Sequence, residues 1–160
     1  MPGLSPQSGV IFAATVELQA GPGGPFYCHF CTSGRILLRM TDDLKQEFDA
    51  ARIKHLHFKS KLRSFLYGSN TDEAPIRDPT LCSFGQWITG YALARYGHLP
   101  ESRELDAVHI KIHQEANRLM DMAQQGQQDA AIAGLTEINR LADQIMQLLR
   151  TIEAAARSGT

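Results

Sequence analysis

The sequence predicts an all-α protein, an antiparallel four-helix bundle with a short second helix. Apolar residues recur every three or four positions through most of residues 41–152, the period of a helix with one buried face. Breaks rich in Gly and Pro divide that pattern into four segments with short connections, as an antiparallel bundle requires. No strand-like alternation and no internal repeat competes with this pattern.

The first helix is predicted from Thr41-Asp42-Asp43, a sequence suited to an N-cap with acids against the helix dipole. Its inward positions are Leu44, Phe48, Ala51, His55, Phe58, Leu62 and Phe65, ending near Gly68. Residues 68–80, with Pro75 and Pro79, read as a loop. A shorter second helix starts near Cys82 and runs through Trp87 and Tyr91 to Gly97. Pro100-Glu101-Ser102 opens the third, since Pro suits the first helical turn. The third helix turns Leu105, Val108, His109, Ile112, His113, Ala116, Leu119, Met120 and Ala123 inward, and Gly126 breaks it. The fourth carries Ile132, Leu135, Ile138, Leu141, Ile145, Leu148 and Ile152. These helices make residues 40–157 the expected folded domain. Residues 1–39, with Gly21-Pro22-Gly23-Gly24-Pro25 and almost no charge, are expected to be poorly structured. A segment of this kind, ending just before Met40, also fits an upstream extension from a misassigned start codon.

Composition narrows the function. The net charge is −1 over 160 residues, so no basic field points to nucleic acid or an anionic membrane. No apolar run approaches the roughly 20 residues that span a bilayer. The apolar stretch from Gly9 to Val16 lacks the charged n-region of a secretory signal, because no Lys or Arg precedes Arg35. Three cysteines, Cys28, Cys31 and Cys82, are too few for a disulfide framework and suit a reducing compartment. A cytoplasmic protein is expected.

The chemistry lies in the histidines. His109 and His113 are four apart on a helix, hence one turn apart on one face, and that face is apolar. Both imidazoles are expected inside the bundle, where an unpaired ring nitrogen is costly. His55 is inward by the same periodicity, whereas His57, about 200° further round, is outward. A single buried histidine is most often an ordinary core residue; three at inward positions share their need for partners, and one cation satisfies them together. Cys82 would add a thiolate, completing a tetrahedral set of three nitrogens and one sulfur suited to zinc. Asp106, one turn before His109, could orient an imidazole, although a solvated charge is the plainer reading. His57 and His98 read as surface residues. Cys28-His29-Phe30-Cys31 has Cys-x-x-Cys spacing, but without a second half it reads as incidental.

Three segments around these residues resemble the chemoreceptor zinc-binding domain family: His55-Leu56-His57-Phe58, Cys82-Ser83-Phe84-Gly85-Gln86-Trp87, and His109-Ile110-Lys111-Ile112-His113. Cys82 stands 27 residues after His55 and 27 before His109. The resemblance covers roughly residues 44–150, and its most specific part is Cys82-x-Phe84-Gly85-x-Trp87. Phe58 stands where the family often has Trp, which affects packing more than ligation. The resemblance implies zinc ligands at His55, Cys82, His109 and His113. Gly85 is expected to let the Cys82 turn approach its neighbouring helix, and Phe84 and Trp87 to pack around the site.

It also implies a role. Such domains occur on bacterial chemoreceptors and diguanylate cyclases and sense zinc or oxidants such as hypochlorous acid. The expected function is therefore a zinc-dependent sensory or regulatory domain in chemotaxis or cyclic-di-GMP control. This sequence has no GGDEF segment and no long methyl-accepting coiled coil, so output would pass through a partner: a chemoreceptor, a kinase or a diguanylate cyclase. A homodimer is implied too. Two other readings remain. A zinc hydrolase would use the His109-x-x-x-His113 spacing, but it needs Glu after the first His as general base and Ile110 stands there. Alternatively, zinc only staples the bundle. A di-iron site would need inward Glu residues and Glu-x-x-His repeats, which are absent.

Overall fold

A computed structural model describes the backbone of residues 32–159 and side chains from Asp42 to Gly159. Cys28 and Cys31 lie outside the described residues. The described residues contain helices and no strand. In chain order they are α1 (Thr32–Leu66), α2 (Ala74–Arg77), α3 (Ser83–Trp87), a π-helical turn (Ile88–Ala92), α4 (Leu93–Tyr96), α5 (Pro100–Gln124), α6 (Gln128–Ala133) and α7 (Leu135–Ser158).

The long helices follow the predicted phase. In α1, Phe48, Ala51, Leu62 and Leu66 are fully buried. So are Leu105, Ile112, Ala116, Leu119 and Met120 of α5, and Ile145, Leu149 and Ile152 of α7. Their directions follow from cross-helix pairs. Gln144 of α7 donates to Glu104 of α5 at 3.0 Å, while Gly134, just before α7, abuts Leu119, so α5 and α7 run oppositely. Arg52 of α1 pairs with Glu153 near the end of α7, while Lys59 and Arg63 line a surface recess with Leu135 and Ile138, so α1 and α7 also run oppositely. His55 meets Phe84, whereas Phe48, further back in α1, meets Trp87 and Tyr96; the segment 83–96 therefore runs opposite to α1.

Local chemistry sets the ends. Gly68 and Gly126 have φ of 86° and 80°, the left-handed conformation that glycine adopts without penalty. After α1, Ser69 N donates to Ser64 O and Gly68 N to Phe65 O; Gln127 and Gly126 repeat the pattern after α5. Both are Schellman caps that satisfy the last carbonyls. α5 begins as predicted, with Leu99 extended, Pro100 in the first turn and Glu101 against the dipole.

Three expectations need correction. α1 begins at Thr32, so Thr41 lies within the helix and does not cap it. The stretch read as a loop between Gly68 and Cys82 contains α2, with Asp72 accepting from Ala74 N at 3.1 Å and Pro75 in its first turn. The fourth helix is two pieces, because the chain breaks at Gly134 between α6 and α7. The predicted second helix is continuous from Ser83 to Tyr96 but wider through Ile88–Ala92.

Candidate metal centre

Three elements meet at the site. Cys82 is the extended residue before α3, with φ −73° and ψ 125°. His109 and His113 point inward from adjacent turns of α5, and His55 points inward from α1; all four are at most 4% exposed. Thus each predicted residue lies in the core, while His57 and His98 are exposed.

The structure brings Cys82, His109 and His113 into one group whose ligand atoms all lie within 4.8 Å of one another. The Nε2 atoms of His109 and His113 are 3.1 Å apart. Tetrahedral zinc, with Zn–S of about 2.3 Å and Zn–N of about 2.0 Å, separates its donors by roughly 3.3–3.6 Å, so this spacing needs little adjustment. His55 is not within that group of three. Its ring sits 5.3 Å from Phe84 and 6.5 Å from Phe58, and its Nε2 is buried with no hydrogen-bond partner. A buried ring nitrogen without a partner is costly, and few native side chains leave one so.

The electrostatics favour neutral, ligating histidines. Burial above all holds the His55 pKa down to about 4 and the His109 pKa to about 3, with Lys59 and His113 contributing at His55 and the other two histidines at His109. Burial lowers His113 as well, opposed by its backbone hydrogen bond. At neutral pH these rings carry lone pairs, the state that metal binding requires. His113 Nδ1 donates to the Ile76 carbonyl at 2.7 Å. A carbonyl can only accept, so the His113 proton is fixed on Nδ1 and Nε2 faces His109 as a lone pair.

The surrounding packing is aromatic and close. Phe84 lies against both His55 and His109, at centroid distances of 5.3 and 5.6 Å. Phe58 contacts His113 at 4.5 Å, so a phenyl ring suffices at that position. Gly85 is needed, as expected: a Cβ there would lie 2.3 Å from Pro79 O and 2.6 Å from His109 Cε1. Trp87 packs in the core against Phe48 and Phe84. Asp106 makes no hydrogen bond to a histidine among the described residues; the orienting partner is the Ile76 carbonyl. Sequence reasoning missed it because a backbone acceptor has no residue signature. Ile76, a large aliphatic residue in the mostly polar stretch 69–80, was the available signal that this stretch docks.

The donor set fits zinc: two imidazoles and a thiol in an apolar, water-poor core form a soft, nitrogen- and sulfur-rich site. Cys82 is a free thiol. Among the described residues, no helix is long and apolar enough to cross a membrane. No curated protein and no solved structure matches the chain significantly. The family described as the chemoreceptor zinc-binding domain matches residues 55–120, a span that begins at His55 and includes Cys82, His109 and His113. That segment, with its buried Cys82, His109 and His113, is what this chain has in common with the chemoreceptor zinc-binding domain family.

Proposed function

We propose that this chain is a sensory or regulatory domain in which zinc is held by His55, Cys82, His109 and His113 on an antiparallel four-helix bundle with a short, bent second helix. The observation that carries the reading is the buried Cys82–His109–His113 group next to a buried His55 whose Nε2 lacks a partner. Four protein ligands leave no open coordination position, which is the pattern of structural and regulatory sites. A hydrolytic role has less support: Ile110 occupies the general-base position and is 42% exposed, away from the site.

The ligands come from α1, from the residue before α3, and from α5, so occupancy couples the packing of three elements. Oxidation of the Cys82 thiolate would remove one ligand and loosen the start of α3 from α5. We place this response in the cytoplasm of a bacterial cell, in chemotaxis or cyclic-di-GMP control. Its output would pass through a homodimer or a partner such as a chemoreceptor, kinase or diguanylate cyclase.

The test is metal analysis of the purified protein together with helix content, before and after a chelator or a mild oxidant. The expected result is about one zinc per chain, released by either treatment with the helices retained. No zinc uptake at micromolar excess defeats the reading; complete unfolding without zinc favours a staple over a sensor.

A further inference from the structure

Helix α2 turns two consecutive carbonyls toward α5, and two α5 side chains one turn apart take them. His113 Nδ1 donates to Ile76 O at 2.7 Å, and Asn117 Nδ2 donates to Arg77 O at 2.9 Å. The Arg77 side chain continues along the same stripe of α5. Its Nη1 donates to Asp121 Oδ1 at 2.8 Å and to Asn117 Oδ1 at 3.4 Å, and its Nη2 to Gln124 Oε1 at 3.1 Å. Its Nε donates to Glu73 Oε2 at 2.8 Å. Positions 113, 117, 121 and 124 share one helical face.

Stability alone does not account for this arrangement. Asp121 is 55% exposed and Glu73 37%, and ion pairs that open to solvent contribute little. Its position is more telling. The same strap that Arg77 anchors carries Cys82, and the intervening turn is stiffened by Asp78 Oδ1, which accepts from Thr80 N at 2.8 Å and Thr80 Oγ1 at 2.7 Å. One short stretch of backbone thus supplies one candidate ligand and orients another through a carbonyl.

We propose that Asn117 and Arg77 are positioning residues of the zinc site: docking α2 on α5, they hold the Ile76 carbonyl against His113 and set the reach of Cys82. The inference rests on the zinc reading above. With the carbonyl in place, the His113 Nδ1 proton is fixed and Nε2 presents its lone pair toward Cys82 and His109. Without it, the ring can rotate or change tautomer and present an N–H instead. Neither Asn117 nor Arg77 touches a donor atom directed at the ion, so neither is itself a ligand.

The full chain tests this as Asn117→Ala, Asn117→Asp and Arg77→Gln. Asn117→Asp keeps the shape and an acceptor for Arg77 but cannot donate to its carbonyl. Zinc affinity is measured by competition with a chromophoric chelator, and the His113 ring proton by nitrogen-resolved NMR, with His113→Gln identifying the signal. Both Asn117 variants should bind zinc roughly ten- to a hundredfold more weakly, as loss of an outer positioning contact does, and lose the ordered Nδ1–H signal with helix content retained. Arg77→Gln should show a smaller loss in the same direction, and it decides the matter if the Asn117 variants fail to fold. A lowered melting temperature with unchanged affinity and an unchanged His113 signal overturns the proposal. Failure of the wild-type chain to take up zinc defeats the zinc reading and this inference with it. Binding that is lost in His113→Ala but intact in the Asn117 variants overturns the positioning role alone.

Discussion

The His109 and His113 Nε2 atoms face each other at 3.1 Å in the core, and the His113 proton is committed to Ile76 on the opposite side of its ring. Two nitrogens so placed need a shared proton or a shared cation. In the first case His109 Nε2–H donates to His113 Nε2, and in the second a cation would displace that proton and could engage Cys82 as well.

Cys82→Ala should weaken zinc binding by at least tenfold, because a thiolate is the strongest donor in the set, while leaving helix content intact. A chelator competition assay with circular dichroism checks both halves. Retention of wild-type affinity would remove Cys82 from the site.

His55→Leu should have opposite effects on two measurements. It removes a buried ring nitrogen that has no partner, so the metal-free protein should gain about 1–2 kcal/mol. Zinc affinity should drop if His55 is the fourth donor, as proposed above. Chemical denaturation without metal and a zinc titration read the two separately, with His57→Leu as an exposed control expected to alter neither.

Gly85→Ala should destabilise the metal-free protein by about 1–3 kcal/mol, the usual cost of forcing a methyl into a filled space. The methyl would collide with Pro79 O, a backbone atom, and with the His109 ring. Relief requires the strap or the ring to move, so zinc affinity should fall too. A denaturation midpoint equal to wild type would show the strap to be looser than its geometry implies.

Acid should destabilise the metal-free protein through its buried histidines. The ordinary histidine pKa is about 6.5 in the unfolded chain, whereas folding lowers His55 to about 4 and His109 to about 3. Between those values the unfolded chain binds more protons than the folded one, so stability rises with pH there. The contribution is fully present above about pH 6.5 and is lost as pH falls through 6.5 towards the folded values. Denaturation midpoints from pH 7.5 to 5 should fall less steeply in His55→Leu than in wild type. Equal slopes would mean that His55 is not kept neutral by burial.

Much of this architecture was legible because periodicity reports burial directly. The separation of His55 from His57 came from helical phase, and one is buried while the other is exposed. The i, i+4 pair His109 and His113 was legible for the same reason. The start of α1 was misread because Thr41 and two acids make a good cap only where no helix precedes them. Helix α2 was hidden by its length: four residues show no period. The Asn117 and Arg77 contacts were out of reach because they depend on how a strap lies across a helix. Spacing along the chain carries no record of that.

The wide turn at Ile88–Ala92 has a consequence at the far end of the molecule. Trp87 and Tyr96 both pack on Phe48, at centroid distances of 5.4 and 6.0 Å. Nine residues of regular α-helix, at about 100° each, would put those two rings on opposite sides of the helix. The π-helical turn takes up more chain per revolution and brings Tyr96 back round to the side of Trp87. The helix that begins at Cys82 therefore has two phases, one for the metal end and one for the aromatic end. Straightening that turn into regular α-helix at full length would turn Tyr96 off Phe48, whereas deleting one residue between Ile88 and Ala92 would leave eight α-helical steps from Trp87 to Tyr96, about 80° net, and keep both rings on Phe48.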